Sequence, residues 1–281
     1  MRVQASLAAL VTLVLVVVVA PEATGGGGTP ITSCGQTVTT SAALTQNLVC
    51  AGSSGVIVGA SGITIDLKGF TLRGDGSGSH YGIDTQMGGF DGLTVKNGAI
   101  VNFNDGINAR GGSDNVSVSD VLVSGNNTGI WIEGDFAKIQ SASVFGNYGG
   151  VAVTGDTASI KSVNVSGNGI WGLLLQGDSV SVKSVTASGN GNEGVYVIGD
   201  FAKIQSVTAS GNDYHGIRIA GDTGLLKANT TNGNGSPDGT SDGGGSGIYV
   251  YLPNSPTPPI GTSNTAVGND NPAECDPTYL C

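Results

Sequence analysis

The chain has 281 residues and a formal net charge of −10, from 11 Lys and Arg against 21 Asp and Glu. That balance works against nucleic acid and anionic membranes as partners, because phosphate recognition relies on clustered Lys and Arg. Its 49 glycines imply frequent tight turns, and Val/Ile/Leu alternating with Ser/Thr/Asn leaves no useful amphipathic helix after the leader, so strands are predicted to dominate.

Arg2 precedes an apolar run over residues 5–20, shorter than the ~20 residues of a membrane-spanning helix and suited to a secretory signal. A signal peptide is predicted over 1–24, with an uncleaved anchor as the alternative, and a Gly-rich linker over 25–30. The expected location is secreted or extracytoplasmic, with no membrane contact after signal removal. Residues 31–55, holding Cys34 and Cys50, are predicted to form an N-terminal cap.

From there a fixed rhythm sets in. Gly-Asp recurs at Asp135, Asp156, Asp178, Asp200 and Asp222, and Gly-Asn at Asn126, Asn147, Asn168, Asn190 and Asn212, in steps of 21 or 22 residues. A period in this range marks a solenoid. The segments beginning Ile130, Val151, Leu173, Val195 and Ile217 each read strand, Gly-Asp turn, strand, bend, strand, Gly-Asn turn. The template extends back to Ile107, Ile83 and Val56 and forward to Ile248, giving eight or nine coils over residues 56–251. The predicted fold is all-β, a single-stranded right-handed parallel β-helix in one elongated domain, roughly 38 Å long for eight coils. In Val151-Ala152-Val153 the valines face inward and Ala152 outward.

The asparagines are predicted to bend the chain in left-handed backbone and to bond amide to amide between coils. The aspartates either hold cations, calcium being the candidate, or bond their own turn and are offset by Lys138, Lys161, Lys183, Lys203 and Lys227. The second reading is preferred, and no cofactor is expected. Pro-rich residues 252–281 form a tail or cap carrying Cys275 and Cys281. Four cysteines allow three connectivities, but a solenoid holds its ends apart, which favours Cys34–Cys50 and Cys275–Cys281.

The stretch from Cys34-Gly35-Gln36-Thr37-Val38 to Cys50, then Gly62-Ile63-Thr64-Ile65-Asp66-Leu67-Lys68-Gly69-Phe70, and later Leu93-Thr94-Val95-Lys96-Asn97-Gly98, resembles bacterial right-handed parallel β-helix repeat proteins of the pectin-lyase-like superfamily. The likeness covers residues 34–250. It implies the fold but leaves activity open, since lyases, glycosidases, epimerases and adhesins share it. The galacturonase and pectate-lyase signatures are absent; His215-Gly216-Ile217-Arg218-Ile219 echoes only fragments of the former. Tyr81-Gly82-Ile83-Asp84 resembles the start of the mannuronan epimerase motif Tyr-Gly-Phe-Asp-Pro-His, but Thr85 and Gln86 stand where Pro and His belong. Two His and two Met are too few for the copper-accessory branch.

Projected outward, the first strand of each coil gives two columns. One runs Asp84, Asn108, Trp131, Ala152, Leu174, Tyr196, Arg218, Tyr249; the other runs Gln86, Arg110, Glu133, Thr154, Gln176, Ile198, Ala220, Tyr251. Asp84, Asn108, Arg110, Trp131 and Glu133 are predicted to share one exposed patch, with Tyr196 and Arg218 further along the same face and His80, Tyr81, Tyr148, Trp171, Tyr214 and His215 along its edge. Aromatic rings beside hydrogen-bonding groups suit an extended polysaccharide. The competing account pairs Arg110 with Glu133 across strands and assigns the rings to shielding the sheet. Asp84 and Glu133, roughly 12 Å apart by strand geometry, do not favour hydrolysis. The leading expectation is binding of extracellular or cell-wall polysaccharide. A lyase or epimerase and a non-catalytic surface-structural or adhesin-like protein are the alternatives; oligomeric state is left open.

Overall fold

In a computed structural model the described residues are 28–235, 245–251, 261–270, 275–276 and 278–281. The predicted signal peptide, half of the linker and much of 252–281 lie outside them. What is described is a single-stranded parallel β-helix of about nine turns. Among the described residues the only helical element is the 3-10 turn Thr278–Leu280.

One wall is an 11-stranded parallel sheet. Nine of its strands, from Val56–Val58 through Ile83–Asp84, Asp105–Ala109, Thr128–Glu133 and so on to Ile248–Tyr251, are the repeats read from the sequence. Gln36–Val38 and Cys275–Asp276 continue it at either end. The other two walls join into a 19-stranded sheet, because Thr94–Val101 and Ser117–Ser124 run unbroken from the second wall into the third. Their midpoints, Asn97 and Asp120, take φ of 61° and 54°; in later coils Ser141, Ser162, Ser184 and Ser206 do the same at the same corner, with φ of 51–55°.

Inward positions repeat with little change. Val95, Val118, Ile139, Ile160, Val182, Ile204 and Leu226 stack along the second wall, all 0% exposed. Each sits on its copy one coil away, in parallel register. Such burial is worth about 1.5–3 kcal/mol per aliphatic side chain. Ala152 faces outward as predicted and lies outside the core cluster, yet its larger neighbours Trp131 and Leu174 leave it only 6% exposed.

The asparagine ladder forms, with one correction. The glycine before each asparagine carries the left-handed backbone: Gly125, Gly146, Gly167, Gly189 and Gly211 have φ of 59–69°. This frees Asn126, Asn147, Asn168, Asn190 and Asn212 to turn inward, where they are 0–4% exposed. Each donates its backbone and side-chain N–H to the next amide oxygen; Asn147 reaches Asn168 Oδ1 at 3.1 Å through both. The ladder runs on through Asn234 to Asn269. A second one, from Val207 N–H through Asn229 to Asn264, lies at another corner and was not read from the sequence.

The aspartates are also corrected. The Oδ1 of Asp135, Asp156, Asp178 and Asp200 each accepts the backbone N–H of the aspartate one coil on, as Asp135 does from Asp156 and Asp156 from Asp178, both at 2.8 Å, so they bond the neighbouring coil and not their own turn. The glycine before each aspartate must lack a side chain, because a Cβ on Gly155 would land on the Gly134 carbonyl. Nor do the lysines pair with this row. Among the described residues the lysine ion pairs are those of Lys68 and Lys96 with Asp66, at 3.3 and 3.9 Å.

The disulfides are Cys34–Cys50 and Cys275–Cys281, with Cα separations of 5.5 and 6.1 Å. At the C-terminal end Leu280 is 1% exposed and its carbonyl accepts the Asn264 side-chain N–H at 2.8 Å.

Asn168→Leu keeps bulk but removes the acceptor of the Asn147 backbone N–H and of one Asn147 side-chain N–H, and the donor to the Val144 carbonyl. Leaving buried polar groups unpaired costs about 1–3 kcal/mol each, so chemical denaturation should show a loss of several kcal/mol. Thr186→Ala on the exposed third wall should change stability by no more than about 0.5 kcal/mol.

Candidate ligand-binding face

The 11-stranded wall gathers the predicted site residues into two clusters. In the first, Arg110 folds back over its neighbours: its guanidinium carbon lies 4.4 Å from the Trp131 ring centroid and 6.0 Å from that of Tyr81. Its Nε donates to Asn108 Oδ1 at 2.7 Å and its Nη2 to Asp105 Oδ2 at 3.2 Å. Asn108 Nδ2 in turn donates to Asp84 Oδ1 at 3.1 Å, which also accepts the Gln86 N–H at 2.8 Å.

This arrangement corrects two expectations. Asp84 and Asn108 are not exposed, at 5% and 2%, because the chain of hydrogen bonds under Arg110 covers them. Arg110 and Glu133 do not form an ion pair; Arg110 turns to Asp105, while Glu133 Oε2 accepts the Gly111 N–H at 3.3 Å. Stacking on Trp131 and pairing with a nearly buried carboxylate hold the guanidinium better than an exposed partner could.

Asp105 was missed. It is 2% exposed, and burial drives its pKa above the ordinary carboxyl value, a push that Arg110 and Thr128 oppose but do not cancel and that nearby Asp84 reinforces. Asp105 thus lies directly beside the cation, with Asp84 one hydrogen bond further off through Asn108.

In the second cluster Arg218 stacks on Tyr196, with 4.6 Å from guanidinium carbon to ring centroid, and its Nη1 donates to Glu193 Oε1 at 2.9 Å. Burial alone would lower the Arg218 pKa; the bond to Glu193, with help from Tyr196, raises it instead. Arg218 Nε is buried without a partner. His215 is 4% exposed, stacks on Tyr249 at 4.7 Å and 4°, and accepts the Ser246 N–H through Nδ1 at 3.0 Å. That bond fixes the neutral imidazole with its proton on Nε2.

Asp105 and Glu193 share one signal that could have found them. Both sit two residues before the first inward aliphatic of their strand, Ile107 and Val195, the position held elsewhere by Tyr81, Trp171 and His215. That column leans over the outward column beside it.

Between the clusters the floor is apolar. Trp131, Ala152, Leu174 and Tyr196 are successive partners in register, so the two stacked rings stand three coils apart, roughly 14 Å. The Trp171 ring fits here because Gly149 lacks a side chain; a Cβ there would come 2.9 Å from Cζ2. Arg110 leans in from the coil before Trp131 and Arg218 from the coil after Tyr196. The result is a shallow apolar strip with a ring-backed cation at each end.

No family model and no curated protein matches this sequence. Among solved structures, the A-module of the Azotobacter vinelandii mannuronan C-5 epimerase AlgE6 is similar, with a TM-score of 0.54 at 14% identity over 84% of this chain and 88% of that one. At that identity the likeness shows a shared parallel β-helix architecture.

His215 makes the C-terminal cluster sensitive to acid. Burial first, then Arg218, lowers its pKa from 6.5 to about 4, the Ser246 bond opposing. The unfolded chain therefore binds a proton that the folded chain refuses. The stability contributed is complete above pH 6.5 and declines as pH falls towards 4, by up to about 3 kcal/mol. Thermal melts across this range should show that dependence reduced in His215→Asn, which retains an acceptor for Ser246 N–H.

Proposed function

We propose that this protein is an exported member of the pectin-lyase-like β-helix group that binds an extended acidic polysaccharide along the 11-stranded wall. The observation that carries this reading is the pair of arginines, Arg110 and Arg218, each braced on an aromatic ring and a nearly buried carboxylate, leaning towards one another across an apolar floor. Pyranose C–H faces suit Trp171 and Leu174, and sugar carboxylates suit the guanidinium N–H groups that Asp105 and Glu193 leave free. Two disulfides fit an oxidising compartment. The epimerase among its structural neighbours acts on mannuronan, which fits the same ligand class.

A second reading, chemical modification of the polymer by a lyase or epimerase, is favoured by Asp105. Burial raises its pKa above the ordinary carboxyl value, and it lies beside a cation that can steady a sugar carboxylate. The Gln86 at the end of the Tyr81 segment leaves this reading without the histidine of the epimerase motif.

Calorimetric titration with oligouronates of increasing length tests binding. Arg110→Ala and Trp131→Ala should each weaken binding about tenfold, or ~1.4 kcal/mol, and oligomers too short to reach both arginines should bind comparably less well. Unchanged affinity in both variants removes the proposed face. Product absorbance and NMR of treated polymer test modification, where Asp105→Asn should abolish turnover.

A further inference from the structure

The second wall carries a charge pattern that the face site does not use. All of the chain's lysines lie on it or at its corner, although the protein is acidic overall at −10. Lys68 and Lys96 share Asp66. The remaining five, Lys138, Lys161, Lys183, Lys203 and Lys227, fall on five successive coils, one per coil, in two adjacent outward columns. All five are exposed, and none has an ion pair within 4.0 Å among the described residues.

Two aromatic rings border this row. The segment 134–141, Gly-Asp-Phe-Ala-Lys-Ile-Gln-Ser, recurs without change at 199–206, three coils later. Phe136 and Phe201 are 47% and 60% exposed and take φ of 59° and 60°, backbone that Asn and Gly hold more readily than a bulky residue. The same corner carries Asn115, Thr157 and Ser179 in other coils, so the corner itself does not require an aromatic.

We infer that this wall is a second binding surface, for a linear anionic glycan lying parallel to the helix axis. One cation per coil gives a charge every ~4.8 Å, commensurate with one charged ring per coil in an extended chain. The phenyl rings, roughly 14 Å apart, offer faces to sugar C–H groups. Nucleic acid fits less well: its phosphates recur every ~3.4 Å along a strand, and the wall has no arginine among its lysines. The aspartate row at the corner does not neutralise it. The Oδ1 atoms of Asp135, Asp156, Asp178 and Asp200 are held by backbone N–H groups of the next coil, and among the described residues none of the five lysines comes within 4.0 Å of a carboxylate oxygen.

The test separates this wall from the face site by placing it in an Arg110→Ala/Trp131→Ala background. That variant should still bind polygalacturonate with an affinity that falls as salt rises. Adding Lys161→Gln, Lys183→Gln and Lys203→Gln should weaken it at least tenfold and flatten the salt dependence. Phe136→Ser with Phe201→Ser, a residue the corner already accepts, should weaken it about threefold at unchanged melting temperature. Neutral dextran should not bind. No binding in the starting background, indifference to the lysine changes, or tighter binding of single-stranded oligo(dT) than of polygalacturonate would each overturn the inference. Loss of length dependence on the lysine-substituted, Arg110- and Trp131-intact chain would instead count against the face site.

Discussion

A buried amide that must bond both above and below tolerates only one partner geometry: another amide in the same place one coil away. The ladder from Asn126 to Asn269 imposes that condition at every turn of the helix it spans. Slipping one coil by a residue would leave several polar groups unpaired in the interior, a penalty that no aliphatic contact there could offset. Aliphatic stacking supplies most of the driving force, yet Val on Ile or Ile on Val is nearly indifferent to small shifts. The amides, and the aspartate oxygens at the opposite corner, turn a greasy stack into one with a defined register.

Register is what makes the outer faces chemical. Because like positions pile up, Asn108, Trp131, Ala152, Leu174, Tyr196 and Arg218 form one line, and substitutions in single coils write a pattern along it. Large residues at the two ends and small ones between produce a strip with raised rims. The arginines are held in partly dry surroundings because each has a carboxylate and a ring within reach. The sheet holds these groups rigidly, so little ordering remains to be done when a ligand arrives.

The three walls also divide the charge. Carboxylates concentrate at a corner, where backbone N–H groups from the next coil satisfy them, while lysines occupy the flat wall beyond. An acidic protein can therefore present a cationic column, since its lysines and carboxylates fall at different positions of the coil. Net charge governs solubility and bulk encounter; local sign is set by which column a residue falls in.

How much of this was legible beforehand follows from the same geometry. Periodicity alone determined the coils, the inward columns and the asparagine ladder, because each depends only on spacing, and the separation of the ends favoured the disulfide pairing that the structure shows. The outward columns were legible as positions: Arg110, Trp131, Tyr196 and Arg218 do share a face. What their side chains do was not. Arg110 could have met Glu133 beside it in register but bends to Asp105, and Asp84 and Asn108 are covered as a result. Long side chains choose among several partners within reach, and the choice depends on burial and ring stacking that no spacing encodes. Likewise the left-handed backbone fell to glycine, releasing asparagine inward, because two adjacent residues competed for one turn and only three-dimensional closure decided between them.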